Sequence, residues 1–316
     1  GLPLSATDIL KNFILGHAAK ISSNKLLEVK DLWSKVIISL DGISTDDFFR
    51  QYVTSVYARK ITKSNLIDAF KKDYFKEVKD VHLLGEYLYT EEGSESSAIN
   101  EDEKDEEQIK DDIKVHFDIK ENKLTSVDEN RIDITLYLEK IVSCASTYSK
   151  IFNKSFESKK INLKLIDLAS IRCFPSYIFL MHFMQLEMTE KENLKLLDMV
   201  ADIMTRRHVC ERRTSENDDI FAKLLKLDIT DSYLDKIKDS LIEDYPDDDE
   251  FSDRFPTQQL KGILEVRAKY ILTQLEYNMT GNTNEFTLNS GTDVHLEHII
   301  PQNITSKSSK NKYGDW

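Results

Sequence analysis

Apolar side chains recur at three- and four-residue spacing through most of this chain, which restricts it to a set of amphipathic helices. Ile9, Leu10, Phe13, Ile14 and Ile21 form the first stripe. It opens on Ser5 with Asp8 three positions later, the pairing of a capping box. Leu26, Leu27, Leu32, Trp33, Val36, Ile37 and Leu40 form a second. Phe48, Phe49, Tyr52, Val53, Val56 and Tyr57 form a third, opened by Ser44 or Thr45, and Leu66, Ile67, Phe70, Tyr74, Phe75 and Val78 a fourth. Aromatic stripes of this kind read as core rather than as a cofactor box. Further on, "IDITLYLEKIVSCASTYSKIF" gives a long helix and "CFPSYIFLMHFMQLEM" a strongly apolar one with Pro175 in its first turn. His182, inside the latter, reads as a histidine of the core or of a helix–helix seam rather than a metal ligand. "KENLKLLDMVADIMTRRHVCERRTSENDDIFAKLLKL" reads as two helices parted near Thr214 to Asp219, and "PTQQLKGILEVRAKYILTQLEYNM" as a helix from Pro256 or Thr257. Nine glycines and five prolines among 316 residues are too few for a turn-rich β architecture.

Several function classes drop out at this level. No run of 18 apolar residues is present to span a membrane, and "GLPLSATDIL" has no basic region or signal-peptide core. Cys144, Cys173 and Cys210 are too few and too widely spaced for a disulfide framework or a CxxC zinc site, which fits a reducing cytoplasm. Neither GxxxxGK[ST] nor GxGxxG occurs, so no nucleotide site is visible. Eleven acidic residues and two lysines between Glu91 and Asp112 carry nine of the thirteen net negative charges. A run so poor in large apolar groups reads as a solvated insertion, with mimicry of nucleic-acid charge as the alternative.

Two stretches carry candidate chemistry. "TRRHVCERR" places Arg206, Arg207, Arg212 and Arg213 within eight positions. On a continuous helix Arg206 and Arg213 would share a face, and their forked donors would suit phosphate. A network of salt bridges between domains is the competing reading. Past Asn278 the helical pattern gives way to turn residues between the short β-prone pieces Glu285 to Leu288 and Val294 to Ile300. The second of these holds "DVHLEHIIPQN". Imidazole and carboxylate together suit a divalent cation, and an imidazole can take a proton from water. As a strand it would point His295 and Glu297 to one side and His298 to the other, with Pro301 ending it. The spacing is not the HExxH of zinc peptidases, which sets two histidines a helical turn apart.

"VHLEHIIPQN" resembles the first half of the HNH nuclease domain at the C-terminus of GmrSD-type, modification-dependent restriction endonucleases. "LPLSATDILKNFIL" looks like the end of that family's ParB-like N-terminal domain, and "DIMTRRHVCERRTSENDDIFAKL" like its middle helical region with paired arginines. The resemblance implies a mainly α chain: a multi-helix body followed by the start of a ββα-metal, HNH-like domain. It also implies Glu297 as acidic metal ligand, His298 as general base and His295 as accessory ligand or structural neighbour. The metal would be Mg2+ or Mn2+, the partner modified DNA, and any nucleotide would act through an N-terminal domain preceding Gly1. The family's further asparagine and a second His or Asn, in a "GNL" context, have no counterpart before Trp316. The expectation is therefore an internal, inactive fragment of a nuclease.

The resulting division is a helical segment over 1–90, the acidic insertion over 91–113, a helical middle domain over 114–280 and the HNH-like start over 281–316. No membrane is involved, and a homo-oligomer is compatible with the sequence. Weak, salt-sensitive DNA binding would come from the cluster around Arg206 and from Lys307, Lys310 and Lys312. The alternative to the nuclease is a self-sufficient helical protein-interaction module.

Overall fold

A computed structural model of the chain describes residues 4–79, 131–228, 232–258 and 265–280. These residues are mainly helical. Among them no β-strand occurs, and the β-contact is an isolated parallel bridge between Val78 and Ile132. The described residues divide into two compact units. The first lies before Thr147; the second lies after Ser146 and includes the short stretch 57–60.

The first unit begins with α1 (Ala6–Ile21) and α2 (Ser23–Ser39). The capping box read from Ser5 and Asp8 is present: Ser5 Oγ accepts from the Asp8 N–H at 3.1 Å, and Asp8 Oδ2 accepts from the Ser5 N–H at 3.3 Å. Ser22 then serves two helices. Its N–H donates to the Ala18 carbonyl at 3.3 Å and closes α1, while its Oγ accepts from the Lys25 N–H at 3.0 Å and opens α2. Next come α3 (Thr45–Tyr57), α4 (Leu66–Glu77) and α5 (Ile134–Asn153), the last containing the boundary between the units. Helix α1 packs on α2 and on α4.

The four predicted stripes, with Tyr137 of α5, supply most of the core of this unit, although Ile21, Leu27, Ile37 and Val56 of the same stripes are exposed. Phe48, Phe49, Phe70, Tyr74 and Tyr137 are fully buried. Trp33 stacks on Phe49 with ring centroids 5.4 Å apart, and Tyr137 meets Phe70 and Tyr74 edge-on at 6.1 and 5.5 Å. Such pairs add about 0.5–1.5 kcal/mol each beyond the area they bury. Asp73 lies among these rings and accepts a hydrogen bond from the Tyr137 hydroxyl at 2.7 Å. Burial lifts its pKa to about 6, against the opposing pull of that hydrogen bond.

The second unit contains α6 (Lys159–Ser170), α7 (Tyr177–Phe183), α8 (Glu190–Val209), α9 (Asn217–Lys223), α10 (Tyr233–Ile242), α11 (Asp248–Arg254) and α12 (Glu265–Thr280). Helix α8 packs on α6, α10 and α11, and α12 packs on α6. The apolar stretch around Pro175 is shorter than its composition suggests. It opens as a 3-10 turn, Phe174–Ser176, with Pro175 in place, and continues as the seven residues of α7. Six of those seven are buried, as expected of a helix that is apolar all round.

Helices α6 and α8 both end in a Schellman turn whose left-handed residue is not glycine. Arg172 has φ 59° and Glu211 has φ 53°. At α8 the Arg212 N–H reaches the Arg207 carbonyl at 2.9 Å and the Glu211 N–H the His208 carbonyl at 3.2 Å. At α6 the Cys173 N–H reaches the Leu168 carbonyl at 2.9 Å. Helix α8 therefore stops at Val209, before the break read near Thr214. Arg212 and Arg213 lie beyond it, and the expected helical face shared by Arg206 and Arg213 does not form.

The start of a ββα-metal domain over 281–316 and the acidic insertion over 91–113 lie outside the described residues.

Candidate functional site

His295, Glu297 and His298 lie outside the described residues, so the described part of the site is the arginine cluster at the end of α8. The capping box of Thr189 with Glu192 starts this helix. Thr189 Oγ1 accepts from the Glu192 N–H at 3.3 Å, and the Thr189 N–H donates to Glu192 Oε2 at 2.8 Å. The helix runs for 20 residues and delivers Arg206 and Arg207 to its last turn.

Arg207 is the interior member, only 4% exposed. Its Nε donates to Asn217 Oδ1 at 3.0 Å and its Nη1 to the Asp244 carbonyl at 3.2 Å. Its Nη2 donates to the Arg213 carbonyl at 3.2 Å and to Glu216 Oε2 at 2.8 Å. The fork thus ties together α8, the turn after it, the start of α9 and the end of α10. A buried guanidinium persists only when its donors are satisfied in this way. Arg206 is half-buried. It donates to the Pro246 carbonyl at 3.1 Å and to Asp248 Oδ1 at 2.6 Å, and its guanidinium lies 5.5 Å from the Tyr245 ring and 5.1 Å from the Phe251 ring. Arg212 pairs with Glu250. Arg213 is exposed, and its backbone carbonyl is the part that joins the network.

Three of the four arginines are therefore bonded to acids, as in the salt-bridge reading, and the network lies within one unit. Their acidic partners Asp248 and Glu250 belong to α11. Sequence periodicity passed over this short helix, although "PDDDEF" carries the signal that places it: Asp247 Oδ1 accepts from the Glu250 N–H at 2.7 Å and caps the helix.

Two histidines sit among the described residues of this unit. His182 is flanked by buried Met181 and Phe183, and burial lowers its pKa to about 4. His208 is half-buried with its Nδ1 unpartnered. Burial, then the charges of Arg267 and Arg207, lower its pKa to about 4. Both are neutral at pH 7. Cys144, Cys173 and Cys210 are buried and form no disulfide. Among the described residues no group of three His, Cys, Asp or Glu side chains is placed to hold a metal ion, and no helix is long and apolar enough to cross a membrane.

The acidic partners of Arg206 and Arg212 lie in a stretch that is similar to a domain of restriction endonucleases. The match is to a family model of GmrSD proteins and covers less than a quarter of the chain. The family model described as "GmrSD restriction endonucleases, C-terminal domain" matches residues 245–316, consistent with a GmrSD-type family member. The matched stretch contains α11, α12 and the whole of "DVHLEHIIPQN", and it extends upstream of the change in pattern near residue 281. No curated protein and no solved structure matches the chain.

Proposed function

We propose that this chain is part of a modification-dependent restriction endonuclease, and that His295, Glu297 and His298 open an HNH-like site that hydrolyses the phosphodiester backbone of modified DNA. The observation supporting this reading is the family match over 245–316, which spans the whole motif. Glu297 and His295 would hold a divalent ion; carboxylate with imidazole is a donor set that suits Mg2+ or Mn2+. When bound, such an ion supplies charge stabilisation to the phosphate under attack. His298 would take the proton of the attacking water at a ring nitrogen, a role open to an imidazole that is neutral at the working pH. In the cluster after α8, Arg212 and Arg213 are the exposed members and would meet backbone phosphates, while Arg206 and Arg207 hold the surrounding turns. A nucleotide would act only through an N-terminal domain of the parent protein.

The test is incubation of the chain with modified and unmodified DNA in Mg2+ or Mn2+, alongside Mn2+ binding followed by electron paramagnetic resonance. The reading expects Mn2+ binding to weaken at least tenfold in Glu297→Gln, and any cleavage to disappear in His298→Ala and with chelator. Mn2+ binding that is unchanged in Glu297→Gln, or cleavage that survives His298→Ala, overturns it.

A further inference from the structure

The arginine that stands out in the second unit is not one of the four in the motif. A cleft of about 210 Å3 lies between the end of α8, the turn that follows it and α12, walled in part by Thr205, His208, Arg212, Thr214, Arg267 and Tyr270. Arg267 is half-buried on α12 and has neither an ion pair nor a hydrogen bond among the described residues. Arg206, Arg207 and Arg212, by contrast, each meet a carboxylate. A guanidinium drawn partly out of water without an acid is costly, and here its charged neighbour makes matters worse. Burial, then the positive charge of Arg172, push the Arg267 pKa down. Arg172 is exposed, without an ion pair among the described residues, and held at the left-handed position of the turn that ends α6.

The other walls mix apolar and polar groups. Ile171, Val209 and Ile271 line part of the cleft, the Thr205 hydroxyl is spent on the Ala201 carbonyl at 2.7 Å, and Thr214 brings a hydroxyl. Arg212 is half-exposed beside its partner Glu250, and His208 lies in the same wall with its Nδ1 buried. The carboxylate lining the cleft is Glu211, which is exposed and lies 3.9 Å from Arg254. Acids that act on Tyr270 are largely engaged elsewhere: Asp198 pairs with Lys164 at 2.6 Å, and Asp202 accepts from the Tyr245 hydroxyl and lies 3.9 Å from Arg206. Asp167, the remaining one, is lifted by burial to about 6. The carbonyls at the end of α8, which would repel an anion, are taken up by the Schellman turn.

We propose that this cleft binds a phosphate group, with the Arg267 guanidinium as its main cation and Arg212 and the Thr214 hydroxyl as additional donors. A tetrahedral anion offers acceptors to a forked donor that has none among the described residues, and it neutralises the repulsion between Arg267 and Arg172. This site is separate from the HNH-like motif and does not depend on that reading. The phosphate could be free, terminal on a small molecule, or part of a nucleic-acid backbone.

The test is titration of the chain with inorganic phosphate against chloride at matched ionic strength, by calorimetry and by the imidazole resonances of His208, repeated with a short DNA duplex. The expected result is a dissociation constant on the order of 1 mM for phosphate, with the His208 resonances moving. Arg267→Gln should weaken binding at least tenfold, Arg267→Lys should weaken it less, and Lys238→Gln, exposed on α10 and outside the cleft, should leave phosphate binding unchanged. If Arg267→Gln weakens phosphate and duplex alike, the group recognised is a backbone phosphate; if only phosphate is weakened, it is a free or terminal one. No phosphate binding by the parent chain, or equal binding by a folded Arg267→Gln variant, overturns the proposal. Far-ultraviolet circular dichroism supplies the folding control.

Discussion

The first unit fills its interior with rings around one carboxylate, whereas the second threads a buried guanidinium through its turns. Asp73 is buried and accepts a hydrogen bond from Tyr137, whose ring meets Phe70 and Tyr74, while Arg207 meets a carboxylate, an amide and two backbone carbonyls. The difference lies in what each polar group does. Four bonds from Arg207 fix three chain segments that have little regular structure of their own. The one strong bond to Asp73 does not offset the loss of hydration, so its proton affinity rises. A buried charge organises structure in the second unit and is a liability in the first.

The largest effect should come from breaking the organised charge. Arg207→Ala leaves Glu216, Asn217 and two carbonyls without their donor and should cost about 3–5 kcal/mol, read from urea denaturation. A loss below about 1 kcal/mol would show that the turns hold without the fork. Next comes the pH response of the liability. Asp73 titrates near 6 when folded and near 3.8 when unfolded, so folding takes up a proton between those values. Stability should therefore fall as pH rises from 4 to 6, by about 3 kcal/mol from this group at about 1.4 kcal/mol per pKa unit. Asp73→Asn should remove that share of the slope; the share from Asp167, lifted to about 6 in the second unit, should stay. An unchanged slope in Asp73→Asn would remove the contrast between the units.

Smaller effects sharpen the same comparison. Glu250→Gln unpairs the half-exposed Arg212 and should cost less than about 1 kcal/mol, with the loss shrinking in high salt. A cost near that of Arg207→Ala would place Arg212 inside the organising network. Smallest of all, Lys154→Gly relieves a left-handed residue with φ 53° and should raise stability by about 0.5–1 kcal/mol. A lowered melting temperature would mean that the Lys154 contact with the Phe152 ring, 5.5 Å away, outweighs the strain.

Much of the body was legible in the sequence because it follows local rules. The Ser5–Asp8 box, the stripes through Phe48 and Phe70 and the place of Pro175 depend on spacing alone, and the helices obey it. Where the reading slipped, the cause was non-local or conformational. Helix α8 ends at Val209 because Glu211 takes a left-handed φ, a role that spacing assigns to glycine and that nothing in "VCERR" announces. Arg206 and Arg207 stood out in the sequence as part of a cluster of four. Asp202 lies one helical turn from Arg206, but their other partners come from positions 244 to 248 and 213 to 217, and no periodicity links those to α8. Arg267 carried no signal at all, since an arginine in an amphipathic helix looks solvated until its neighbours are known.

Ser22 has one more consequence. Because a single residue closes α1 and opens α2, no slack separates the two helices, and their phases are geared together. Adding or removing one residue there would turn α2 by about 100° relative to α1. That rotation would carry Val29, Trp33 and Val36, all buried, off the face they now present to the core. The junction should accept changes of side chain far more readily than changes of length.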